Sequence, residues 1–209
     1  LLTDYIRNAK IITPSITSTW KLVNGEQKDP FVNPFSDVAE KAWYYDYVMD
    51  MAEQGVIKGM TPTTFEPESN LTRAQTAMLL YRIAGEPAVE GTASFKDVPA
   101  NEWYATAVAW AEKNGVVNGT TPTTFEPDAD VTRAEFVTML YRFAGKPENM
   151  AAATFTDLKD GWYMDAVSWA ETNGIVNGTT PTTFEPDSTC TRGQAAKILS
   201  IFLALPRPQ

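Results

Sequence analysis

The chain has no histidine and a single cysteine, Cys190, in 209 residues. Without histidine there is no Ser-His-Asp or Cys-His catalysis, no ordinary general base near neutrality, and none of the commonest zinc ligand. One cysteine excludes an internal disulfide and a thiolate metal centre. Basic residues are also few: 17 Lys and Arg stand against 26 Asp and Glu, a formal charge of −9. That balance argues against nucleic acid or an anionic membrane as the main partner. No run is long and apolar enough to cross a bilayer, and no charged segment followed by an apolar one opens the chain. If the protein is exported, its signal is expected outside this sequence. What the chain does have is apolar content, 44% hydrophobic residues, enough at this length for a sizeable core.

Those residues are arranged periodically. Leu71-Thr72-Arg73-Ala74-Gln75, Val131-Thr132-Arg133-Ala134-Glu135 and Cys190-Thr191-Arg192-Gly193-Gln194 are three versions of one motif, their arginines 60 and 59 residues apart. Thr followed three residues later by Glu or Gln is a capping box. Thr72, Thr132 and Thr191 are therefore expected N-caps, with Arg73, Arg133 and Arg192 as first helical residues. A cation at that end faces the positive pole of the helix, a cost of about 0.3–1 kcal/mol unless an anion compensates. Cys190 replaces Leu71 and Val131 and reads as a small apolar residue at the start of its helix.

Other landmarks keep the same spacing. Phe35-Ser36-Asp37-Val38 is matched by Phe95-Lys96-Asp97-Val98 and Phe155-Thr156-Asp157-Leu158, a leading turn whose Asp can cap or bind. Trp43-Tyr44, Trp103-Tyr104 and Trp162-Tyr163 open a first helix that ends at Gly55, Gly115 or Gly174. Aliphatic pairs and Gly59, Gly119 and Gly178 follow, then Thr-Pro-Thr-Thr-Phe-Glu-Pro at 61–67, 121–127 and 180–186. Its two prolines rule out helix and leave Phe as the anchor of a surface loop. The motif helix comes next, closed by Gly85 and Gly145 but by no glycine in the third copy. Each unit is thus helix, loop, helix, with boundaries at 35–92, 93–152 and 153–209. Residues 1–34 stand outside the repeat as a linker, a strap over the first repeat or the tail of an upstream domain. A short helix is expected over Leu1 to Lys10 and an extended segment over Ile11 to Trp20.

The order Phe-x-Asp-Val, Trp, aliphatic-x-Gly, Phe-x-Pro, aliphatic-Thr-Arg-Ala-Glu, met three times over about residues 35–205, resembles the S-layer homology domain. The resemblance implies a mainly α fold of three helix-loop-helix repeats in a pseudo-threefold arrangement. The motif helices form a central three-helix bundle, with grooves between neighbouring units. It implies a non-catalytic module that anchors bacterial surface proteins to secondary cell-wall polysaccharide, commonly a pyruvylated amino sugar, at the cell wall or S-layer. It marks Arg73, Arg133 and Arg192 as ligand-binding, with Asp37, Asp97, Asp157, Trp43, Trp103, Trp162, Gly59, Gly119 and Gly178 as groove lining. The chain departs from the family pattern in its Thr-Pro-Thr-Thr-Phe loop, in Gln75 and Gly193-Gln194, and in Asp50, which stands where the other repeats have Trp110 and Trp169.

From the residues alone, two partners answer the arginines equally well. One is a protein carboxylate, Glu66, Glu126, Glu185 or a neighbour's acid. The other is a bound anion, to which the guanidinium gives a charge-assisted contact and the helix N–H groups add. On the second reading Arg133→Ala weakens polymer binding and leaves stability nearly unchanged. Trp43, Trp103 and Trp162 read first as core anchors and second as sugar-stacking faces. No catalytic residue, cofactor or metal is expected: every notable acid recurs in triplicate, and Glu126, Asp128 and Asp130 lack the alternating loop of a calcium site. The alternative function is a protein-binding scaffold that uses the repeat loops or residues 1–34.

Overall fold

A computed structural model describes residues 31–148 and 150–206, together with Leu22–Val23 and Glu26–Gln27. The expected helix at Leu1 to Lys10 and extended segment at Ile11 to Trp20 lie outside the described residues. Among those described, β1 (Leu22–Val23) pairs antiparallel with β2 (Glu26–Gln27), and the rest is helix and loop. The helices are α1 (Tyr45–Glu53), α2 (Arg73–Ile83), α3 (Ala105–Lys113), α4 (Arg133–Phe143), α5 (Met164–Thr172) and α6 (Arg192–Ala204).

The motif helices α2, α4 and α6 begin where the sequence places them. Thr72, Thr132 and Thr191 are extended N-caps, each accepting the N–H of the residue three on, whose side chain takes the cap N–H in return. The first helices stop ahead of Gly55, Gly115 and Gly174, whose φ near +70° is open to glycine at no steric cost. Without such a glycine, α6 runs on for 13 residues, two more than α2 or α4.

The N-terminal ends of the three motif helices are tied into a closed ring. Leu71 donates its N–H to Cys190, Cys190 to Val131, and Val131 back to Leu71, each at 2.9 Å. All three side chains are buried beneath this triangle. Burial also pushes the Cys190 thiol up to about 12, so it is an inert packing group. Below the triangle the motif helices form the central bundle.

The first helices do not pack where their position in each repeat suggests. α3 lies on α2, α5 on α4, and α1 on α6, so every close helix pair joins one repeat to the next and the last pair joins the ends of the repeat array. Two of these pairs carry an aromatic contact, Tyr81 with Trp110 and Tyr141 with Trp169, both at 5.6 Å. At the closing pair the same positions hold Ser200 and Asp50, joined by a 2.7 Å hydrogen bond from the Ser hydroxyl. Both members change together, and this accounts for the departure at Asp50.

Candidate functional site

Each motif arginine crosses to the following repeat. Arg73 donates through Nε to the Phe125 carbonyl at 2.7 Å and through Nη2 to that of Asn118 at 2.9 Å. Its guanidinium lies 4.7 Å from the Phe125 ring centroid. Arg133 repeats the first part of the pattern on Phe184, with Nε to the carbonyl at 2.8 Å and the ring at 4.7 Å, but without a second loop carbonyl among the described residues. Arg192 closes the cycle on the first repeat, donating to the carbonyls of Phe65 and Lys58 and lying 4.5 Å from the Phe65 ring. Phe65, Phe125 and Phe184 are fully buried, as the anchoring role requires. The arginines are 5%, 5% and 6% exposed. Burial pulls their pKa values down, against the opposing fields of nearby acids, but a guanidinium starts so basic that it stays charged.

This corrects three expectations. The helix ends need no anion, because their N–H groups are already satisfied: Arg73 and Ala74 donate to Ala129 and Pro127, Arg133 and Ala134 to Ser188 and Pro186, and Arg192 and Gly193 to Ser69 and Pro67. With the capping box, all four groups at each helix start are occupied. The helix starts therefore hold no free N–H for an anion. The arginines also do not pair with Glu66, Glu126 or Glu185. Among the described residues their only carboxylate contact is Arg73 Nη1 to Glu135 Oε1 at 3.3 Å, so the alternative of a neighbour's acid holds at Arg73 alone. Finally, Arg133 is a buried tie between repeats, so a loss of stability is the expected outcome of its removal.

The aspartates organise the loop on which each arginine rests. Asp37 accepts the N–H groups of Phe65 and Glu66 at 2.8 and 2.6 Å, Asp97 those of Phe125 and Glu126, and Asp157 those of Phe184 and Glu185. Burial raises their pKa values, but these donations and the nearby arginines outweigh it and hold all three below the usual carboxylate range. The clamp also holds Glu66, Glu126 and Glu185 at φ near +60°, a conformation that costs a non-glycine residue about 1 kcal/mol or more. The loop glycines are required by close approach. A Cβ on Gly59 would lie 2.3 Å from the Thr61 carbonyl oxygen and 2.6 Å from the Phe35 ring, and Gly119 and Gly178 are equally confined. Gly59 and Gly119 directly follow the Lys58 and Asn118 carbonyls that receive Arg192 and Arg73.

The tryptophans are the main surprise. Trp43, Trp103 and Trp162 are 52%, 57% and 61% exposed, which overturns their reading as core anchors. Each stands edge-on to the following tyrosine at 5.2–5.3 Å, and the tyrosine supplies the anchor. At the closing seam, Tyr44 packs beside Gly193, and the Lys197 amine lies 6.0 Å from the Trp43 ring. The first repeat also lacks a latch. In the others, Ser94 and Thr154 hydrogen-bond Glu112 and Glu171; Pro34 and Ala52 occupy those positions and line an open cleft of about 420 Å³ with Phe31 and Met60.

Sequence reasoning missed the residues facing two of the three guanidinium groups. Arg73 meets Glu135 and Arg133 meets Gln194, at 3.3 and 3.4 Å, both taken from sequence only as capping groups. The alternation of Glu and Gln at that position was the available signal.

Three similar units closed into a ring, with a buried cation and an exposed indole repeated in each, define a tandem-repeat helical module. Among the described residues no cluster of metal-binding side chains occurs, and no helix is long and apolar enough to span a membrane. The profile of the S-layer homology domain matches residues 34–77, 94–137 and 154–196, more than half of the chain, and the protein belongs to that family. An amylopullulanase of Thermoanaerobacterium thermosulfurigenes is 31% identical over 94% of this chain but only 11% of its own length. An S-layer protein of Bacillus thuringiensis subsp. finitimus is 31% identical over 79% of this chain and 21% of its own. A cellulosome-anchoring protein of Acetivibrio thermocellus is 26% identical over 69% and 34% respectively. The chain thus spans between 11% and 34% of these relatives, and an enzyme, an S-layer protein and an anchoring protein share this part.

Proposed function

We propose that the protein is a non-catalytic cell-wall anchoring module at the bacterial surface. It binds secondary cell-wall polysaccharide, a pyruvylated amino sugar, in the seams between repeats. The observation that carries this reading is the threefold recurrence of a half-exposed tryptophan and a nearly buried guanidinium. Large aromatic surface at three equivalent positions suits the apolar face of a sugar ring, and a guanidinium held by carbonyls retains its charge for a carboxylate. The shared occurrence of the module in an amylopullulanase, an S-layer protein and a cellulosome-anchoring protein fits attachment better than a common reaction.

Co-sedimentation of the full chain with native sacculi tests this. Retention is expected on native sacculi and loss on sacculi stripped of secondary polysaccharide. Equal retention on stripped sacculi would overturn the reading and point instead to the peptidoglycan mesh that remains.

A further inference from the structure

One surface sets the first repeat apart from the other two. Phe31 stands where they have Gly91 and Ala151, Pro34 where they have Ser94 and Thr154, Ala52 where they have Glu112 and Glu171, and Met60 where they have Thr120 and Thr179. All four apolar replacements converge on the cleft of about 420 Å³. Phe31 and Met60 are 40% and 48% exposed there, and the adjoining Val32 is 78% exposed. Apart from the three tryptophans, these are the only exposed large apolar side chains among the described residues. A surface made apolar at four separate points in one repeat, and polar or small in the others, is a surface that something covers.

In the second and third repeats the incoming chain itself covers this place. Ser94 and Thr154 bind Glu112 and Glu171, the Ala153 N–H donates to the Ser168 hydroxyl, and Val89, Met150 and Ala153 pack on the core. Residues 1–30 stand where a preceding repeat would. Asn33 closes a local turn instead of reaching α1, its side chain bonding the Phe35 N–H and the Val38 carbonyl. From Gln27 at the end of β2 to Phe31 is four residues, at most about 14 Å of chain. Since β1 is antiparallel to β2, with Leu22 opposite Gln27, the chain before Leu22 sets out from the hairpin end that delivers Phe31 to the cleft. Trp20 lies two residues from Leu22 and ends a run that also holds Ile11, Ile12 and Ile16. Charge favours the same contact: Arg7, Lys10 and Lys21 against Asp4 give residues 1–21 a formal +2, which leaves −11 of the total −9 on the rest of the chain.

We infer that the cleft is the docking site of this chain's own upstream segment, residues 11–20, with Trp20 as the anchoring side chain. The segment is the strap of the first repeat and does by apolar burial what the Ser–Glu and Thr–Glu latches do in the others. It also braces Lys58 and Gly59, which line the cleft and whose Lys58 carbonyl holds Arg192, and so supports the seam at which the ring closes. This holds whatever the module binds.

Two exchanges in the full chain test this without threatening the helices. Ala52→Glu puts into the cleft the charge that Glu112 and Glu171 carry at the same helix position, and Trp20→Ala removes the anchor from outside the repeats. Limited trypsin digestion followed by mass spectrometry reads release of the segment as cleavage after Lys10 and Lys21. Each exchange should speed these two cuts on the order of tenfold over wild type, while cuts within the repeats stay slow. The double exchange should add nothing further, because both members break one contact. Equal rates in wild type and both variants, acceleration in one exchange alone, or additive effects in the double exchange would each overturn the inference. So would a wild-type dimer in analytical ultracentrifugation that Ala52→Glu converts to a monomer, which would give the cleft to a second copy of the chain.

Discussion

At the scale of single residues, the repeated motif divides differently from what its sequence suggests. The capping role of Thr132 and Glu135 follows from spacing alone, because a capping box is a local device. The role of Arg133 does not, because its partner Phe184 lies 51 residues away and a period says that environments recur without saying what fills them. Two substitutions should therefore separate. Arg133→Ala removes a buried cation over a ring and leaves the Phe184 carbonyl unpaired, which should cost about 2–4 kcal/mol and appear as a lowered denaturation midpoint. Trp103→Ala, at a 57% exposed site, should shift stability by no more than about 0.5 kcal/mol while reducing retention on sacculi. A large stability loss in Trp103→Ala, or none in Arg133→Ala, would contradict these assignments.

The loop-clamping aspartates give a pH signature at the same scale. Their folded pKa values are depressed, so the stability they provide is complete above the unfolded value of about 3.8. It falls away as pH drops from there through the folded value. Thermal melts of Asp97→Asn should therefore show a shallower decline in this acid range than wild type, with the variant already less stable at pH 7. A parallel decline in both would show that Asp97 is not so coupled.

At the scale of elements, helix starts and stops were legible because caps and glycines act within a few residues. Which helix packs on which was not, because amphipathic runs do not name their partner. The linked change from Tyr81 with Trp110 and Tyr141 with Trp169 to Ser200 with Asp50 was the trace of the cross-repeat pairing. It also gives a test. The double exchange Asp50→Trp with Ser200→Tyr restores an aromatic pair between α1 and α6 and should stabilise the protein by about 0.5–1.5 kcal/mol beyond area burial. Asp50→Trp alone leaves the larger ring without its tyrosine and should gain less. Equal effects of the single and double exchanges in chemical denaturation would count against the pairing.

At the scale of the whole molecule, the ring through Leu71, Val131 and Cys190 makes the repeats interdependent, unlike an open solenoid in which each unit touches only its sequence neighbours. A fragment ending at residue 152 leaves Leu71 without its Cys190 acceptor and α1 without α6, and it should lose cooperative unfolding; a cooperative transition at the wild-type temperature would refute ring closure. Closure is also what places three cation-bearing seams on one small acidic body, so that engaging two of them along one polymer raises avidity by roughly 10²–10⁴ without new contacts. The central claim is that the charge on the wall polymer is read by these seams. It is tested most directly by titrating the intact chain with purified wall polysaccharide before and after removal of its pyruvyl groups. Tight binding that is lost with the carboxylate is expected, and unchanged affinity for the depyruvylated polymer would rule the seams out as readers of that charge.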